Sequence, residues 1–126
     1  MRSLIVTLFC VLTCFASSLV SHAEDAAGNG DADALIKAYA GKDPAAHAYA
    51  LIHADLIAQG LSSANAYVTY YRKDPALYCQ PMELALTGEQ VMDILKRAVE
   101  KDAALGHLST GSAILRALQR TFPCQK

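Results

Sequence analysis

Leu86-Thr87-Gly88-Glu89-Gln90-Val91 opens the stretch that decides the fold, and Met92-Asp93-Ile94-Leu95-Lys96-Arg97-Ala98-Val99 continues it. Thr87 and Gln90 stand three apart, the spacing of a capping box. Each side chain can satisfy a backbone N–H that the first helical turn leaves without a partner. Leu86 and Val91 hold the two positions of a hydrophobic staple across that start. Beyond it, Val91, Ile94, Leu95, Ala98 and Val99 fall on one face at a period near 3.6, so an amphipathic helix is predicted, ending near Gly106.

Working toward the C-terminus, Ser109 or Thr110 is placed to cap a last helix with Ile114, Leu115, Leu118 and Phe122 as its apolar positions. Pro123 ends it and Cys124 follows at once. Toward the N-terminus, Asp33 to Tyr39 reads as a short helix stopped near Gly41. Asp43-Pro44 is a start signal, an N-cap aspartate followed by proline at the first helical position. The helix it opens is expected to run to about Gly60, with Ala45, Tyr49, Ile52 and Leu56 on one face. Ser62 or Ser63 then caps a further helix carrying Tyr67, Tyr70 and Tyr71, which ends before Asp74-Pro75. No internal repeat is visible.

Residues 1–23 read differently. Arg2 is their single charged residue, the apolar run extends from Leu4 to Phe15, and Ser21-His22-Ala23 puts small residues at the −3 and −1 positions of a cleavage site. That is the layout of a secretory signal peptide cut after Ala23. Continuous apolarity from Leu4 to about Leu12 is short of the roughly 20 residues a membrane span needs. Neither Phe9 before Cys10 nor Thr13 before Cys14 is the small residue that lipidation would require. Residues 24–33 are small, acidic and glycine-containing and read as a flexible lead-in. They fail as a calcium loop, because Ala27 and Ile36 stand where carboxylates are needed.

The chain of 126 residues has a formal charge of −1; residues 24–126 hold 10 basic against 12 acidic groups. This balance provides no electrostatic footprint for nucleic acid and no polybasic patch for a membrane surface. In the same 103 residues, 21 alanines and 12 leucines face only three valines and five isoleucines. Unbranched side chains lose less rotamer freedom in a helix, so helix is favoured over strand. The expected fold is all-α: a compact bundle of about four to five short helices over residues 34–126.

Cys79 and Cys124 remain once the leader is removed. An even pair in an exported chain of about 100 residues is expected to form one disulfide, closing a loop of roughly 45 residues. Two free thiols, or one reactive thiol, are the competing reading. Neither cysteine has a second ligand at short spacing, so no metal is expected, and no cofactor either. His47 and His53 are six apart, about 240° around a helix, too far to share one metal. No nucleophile-elbow, zincin, Walker or dinucleotide-binding motif is present, and the sequence argues against an enzyme.

All six tyrosines lie between Tyr39 and Tyr78. Two readings of the richest cluster stay open. Tyr67 and Tyr71 belong to the core with Tyr70 at its edge, or Tyr70, Tyr71, Arg72, Lys73 and Asp74 form a partner-binding surface, since tyrosine and arginine are enriched at interfaces.

The C-terminal half resembles the Rap/Tai family of periplasmic immunity proteins of type VI secretion systems. The resemblance sits in Cys79-Gln80-Pro81, in Leu86 to Val91 and in His107-Leu108-Ser109. It closes with Leu115-x-x-Leu118-x-x-x-Phe122-Pro123-Cys124. It covers residues 79–124 well and 46–58 loosely, where Tyr49 and Asp55 match a helix motif whose cysteine position is Ala46 and whose glycine positions are Ala48 and Ile52. The family commonly carries more cysteines in its first half. The resemblance implies an exported all-α protein, often dimeric, that occludes the active site of a secreted peptidoglycan amidase. It makes Cys79, Cys124, Thr87, Gln90, Phe122 and Pro123 structural. The alternative function is a small periplasmic helical chaperone or stress protein with a single disulfide.

Overall fold

A computed structural model describes residues 31–125. The leader, its cut after Ala23 and most of the lead-in lie outside the described residues. Four helices follow in order: α1 (Ala32–Ala40), α2 (Pro44–Tyr70), α3 (Gly88–Lys101) and α4 (Thr110–Thr121), with a 3-10 helix, Ala103–His107, between the last two. The fold is all-α, stapled by one disulfide, Cys79–Cys124.

The capping box forms as read. Gln90 N–H donates to Thr87 Oγ1 at 3.3 Å, and Thr87 N–H donates to Gln90 Oε1 at 2.9 Å. Such a cap contributes about 1 kcal/mol. From this start α3 crosses the molecule with α2 on one side and α4 on the other. Its Val91, Met92 and Leu95, with Ile114 and Leu118 of α4, are the largest fully buried side chains. Met92 is an addition to the predicted stripe, and Val99 is half-buried at its edge. Leu115 and Phe122 likewise pack against the core while half-buried.

α3 stops at Lys101, earlier than the predicted end near Gly106. Asp102 is in extended conformation and its carboxylate accepts from Ala104 N–H, which starts the 3-10 helix instead. Ser109, one of the two candidate caps, occupies the N-cap of α4, but its hydroxyl donates to Ser112 Oγ at 2.9 Å and bonds no backbone N–H. α1 starts earlier than expected. Asp31 accepts from Ala34 N–H at 2.8 Å, and Ala32 N–H donates to Leu108 O at 3.1 Å. Residues 31–33 of the expected lead-in are therefore part of the fold.

Two expectations about α2 fail. It is one helix of 27 residues, not two short ones broken after Gly60. Ser63 does not cap a new start: its hydroxyl donates back to Gln59 O at 3.0 Å. Ala58 on one side of the glycine and Leu61 on the other pack on the same core, which holds the turn between them helical. Its buried face is also not the row of Ala45, Tyr49, Ile52 and Leu56. Ala50, Ala54 and Ala58 are buried, while Tyr49, Ile52 and Leu56 on the opposite side are 57–61% exposed. Small residues face α3 because the two helices meet at very short range: a Cβ on Gly88 would overlap the Leu51 carbonyl oxygen.

Lys73, at φ 59°, is the described non-glycine residue with left-handed backbone, and it turns the chain back after α2 so that Asp74 N–H reaches Val68 O at 3.0 Å. No described helix is long and apolar enough to cross a membrane.

At the far end, Arg120 donates to Asp102 Oδ2 at 2.6 Å. That hydrogen bond holds the Asp102 carboxyl below the usual carboxylate range. A lowered folded-state pKa stabilises the fold above the unfolded value, and the contribution disappears as pH falls through the lowered one. Asp102→Asn keeps the cap and removes the charge. Its melting temperature is expected to lie slightly below that of the parent at pH 7, with the gap closing below about pH 4; a constant gap in a thermal melt series would refute the charge effect.

Candidate functional site

Candidate partner-binding surface at the end of α2

The C-terminal end of α2 and the connector to α3 gather most of the exposed bulky side chains. Tyr67, Tyr70 and Tyr71 are 56%, 70% and 80% exposed, so the core reading of Tyr67 and Tyr71 is overturned. Tyr78 takes the core position instead, and burial pushes its hydroxyl pKa up, keeping it protonated. Tyr71 stacks on Tyr67 with ring centroids 5.6 Å apart. Arg72 Nε and Asp74 Oδ2 pair at 2.8 Å in the open. Water screens such a pair, so it orders the two side chains more than it stabilises the fold.

Of the five predicted residues, Tyr70 lines a groove, an open one of about 750 Å³ between α2 and the connector that Asp55, Gln59, Gln80, Met82 and Leu84 line also. Arg72, Lys73 and Asp74 do not line this groove.

The connector has little regular structure, yet it is tied at many points. Asn65 on α2 clamps it twice, accepting from Leu77 N–H at 2.6 Å and donating to Tyr78 O at 3.0 Å. Gln119 of α4 donates to Leu77 O at 3.1 Å, and Cys79 N–H donates to Phe122 O at 2.9 Å. The Cys79–Cys124 disulfide lies beside that bond, with Cα atoms 4.9 Å apart. Beyond these ties, Pro81–Leu84 forms a turn: Leu84 N–H donates to Pro81 O at 3.0 Å, and the Gln80 side-chain amide donates to Leu84 O. Met82, in the middle of this turn, is 96% exposed.

Sequence reasoning missed Asn65, Gln119 and Met82, and gave no role to Gln80. Asn65 did carry a signal, because asparagine inside a helix competes with its backbone and is kept where its amide has a use. The structural residues stand where expected: Thr87 and Gln90 in the cap, Phe122 against the core, Pro123 and Cys124 after α4.

The histidines serve separate places. His47 stacks on Tyr39 with its Nδ1 2.7 Å from Tyr39 O, His53 stacks on Tyr49, and His107 Nδ1 is 3.8 Å from Asp33 Oδ2. Among the described residues, no group of three His, Cys, Asp or Glu side chains could hold a metal ion. What the arrangement offers is a braced turn beside an aromatic-edged groove, a shape for binding. The chain matches no family model, no curated protein and no solved structure.

Proposed function

We propose that this chain is a periplasmic immunity protein that binds and occludes a type VI secretion peptidoglycan amidase. The observation that carries the reading is the turn Pro81–Leu84, with Met82 wholly exposed at its middle and its base tied to both α2 and α4. A plug of this kind loses little conformational freedom on binding because it is ordered beforehand. The residues that resemble the Rap/Tai family are those that brace it: Cys79, Gln80 and Pro81 at its base, and Phe122 and Cys124 across from them. Function on this reading is steric. The turn enters the amidase cleft, Tyr70 supplies area at the groove, and no bond of the substrate is made or broken by this chain.

The test is co-purification of the mature domain with amidases encoded beside its gene, together with protection of cells from them. Met82→Asp is expected to weaken binding at least tenfold, a central interface position losing apolar contact. Failure to bind or protect against any of those amidases would overturn the proposal. The single disulfide and the exposed row Tyr49, Ile52 and Leu56 fit the second reading, a small periplasmic chaperone. That reading requires apolar surface to open near pH 3 and general suppression of aggregation.

A further inference from the structure

The formal charge near zero averages over two unlike parts of the chain. Residues 31–93 hold four basic against eight acidic groups, whereas residues 94–126 hold six basic against two acidic. α3 and α4 bring that excess together. Arg97 and Lys101 on α3 and Arg120 on α4 rim an open groove of about 350 Å³, whose floor is Ile94, Ala98 and Ala117. All three floor residues are buried, and the two alanines are short enough to leave the depression. None of these residues lines the groove beside the turn.

Ordinary helix chemistry accounts for only part of that rim. A cation in the last turn offsets the helix dipole, which explains Lys101 and Arg120. The effect falls away beyond that turn, where Arg97 and Arg116 stand. Arg97 and Lys101 are four apart, and so are Arg116 and Arg120. Like charges at that spacing are neighbours on a helix and repel, so each pair weakens the isolated fold a little. Counter-charge within the fold is scarce. Asp102 pairs with Arg120 at 2.6 Å, while Arg97, Lys101 and Arg116 make no ion pair with any described residue.

We infer that the groove between α3 and α4 is a docking site for an acidic peptide segment of a protein partner, which seats an apolar side chain on Ile94, Ala98 and Ala117 between carboxylates held by Arg97, Lys101 and Arg120. Charge complementarity selects this occupant. Residues 24–126 carry 10 basic against 12 acidic groups, so the domain at large repels anions and attraction is confined to where the cations converge. A cleft lined by one sign of charge over low-dielectric walls concentrates that attraction. Two of the three rim cations are arginines, whose planar fork holds a carboxylate through two parallel hydrogen bonds. The concave apolar floor takes a side chain entering from a peptide, whereas a flat anionic membrane would meet the cations and leave the floor empty. The inference rests on α3 and α4 and not on the immunity reading.

The probe is a short fluorescein-labelled peptide with glutamates on either side of a central leucine, titrated with the mature chain and read by fluorescence anisotropy. Arg97→Gln combined with Lys101→Gln is expected to weaken binding about tenfold, two partly screened ion pairs being lost. Both positions are exposed, so the fold is kept, and circular dichroism checks it. Lys37→Gln combined with Lys42→Gln removes the same charge from exposed positions at α1 and is expected to leave binding unchanged. Exchanging the leucine of the peptide for serine is expected to weaken binding several-fold, at a contact that salt does not screen. No binding, an equal loss in the two double variants, indifference to the leucine, or tighter binding to phosphatidylglycerol vesicles than to the peptide would each overturn the site. No amidase is present, so failure here is separate from failure of the proposed function.

Discussion

Replacing both Cys79 and Cys124 with serine is expected to lower the unfolding free energy by about 4 kcal/mol, a large fraction of the total for a domain of this size. The bridge joins residues 45 apart, and most of its effect comes from the conformations it removes from the unfolded chain. The folded state changes little by comparison. Cys79 N–H still reaches Phe122 O, Gln119 still reaches Leu77 O, and Asn65 still holds Leu77 and Tyr78. Far-UV circular dichroism of the double variant is therefore expected to match the parent at low temperature, with the loss appearing only in urea or thermal unfolding. A loss below about 1 kcal/mol would mean that the unfolded chain keeps the two segments together without the bond. Binding should respond more sharply than helicity, because Cys79 is two residues from the turn that carries Met82.

What could be read from the sequence was what is decided locally. Thr87 and Gln90 cap α3 through atoms three residues apart, and Asp43 caps α2 with Pro44 beside it, so neither depends on the rest of the chain. The disulfide followed from counting. The faces of α2 could not be read in that way. Ala50, Ala54 and Ala58 on one side and Tyr49, Ile52 and Leu56 on the other are both apolar rows at helical spacing. Periodicity favours the bulkier row, whereas the close approach of α3 selects the smaller. The same cause hid the continuity of α2, since Gly60 and Ser63 read as a stop and a start until Ala58 and Leu61 are seen packing on one core. The cluster Tyr70 to Asp74 was legible because it is contiguous in sequence, whereas the turn was not. Met82 sits in a loop whose shape is set by partners in α2 and α4, 13 and 42 residues distant in sequence for the two ties to Tyr78 and Leu77.

That close approach leads to the second large effect. Gly88→Ala is expected to destabilise the domain by about 2–3 kcal/mol, although alanine is the better helix former and glycine is usually the residue to remove from a helix. Gly88 is not held by an unusual backbone angle, as no described glycine has a positive φ. Its constraint is space. The added methyl would overlap the Leu51 carbonyl oxygen, and its nearest neighbours are all backbone atoms of Leu51, so no side chain can rotate to make room. Relief requires α2 and α3 to separate, which loosens Ala50 and Ala54 against Val91 and Leu95. Gly60→Ala is the internal control with the opposite sign. Its added methyl meets nothing within 4 Å, and the position lies in the interior of α2. There the ordinary preference applies, and stability is expected to rise by about 0.5–1 kcal/mol. Urea unfolding of the two variants side by side separates helix preference from packing. If Gly88→Ala also stabilised, the contact between α2 and α3 could not be as close as it stands, and the alanine face of α2 would lose its explanation.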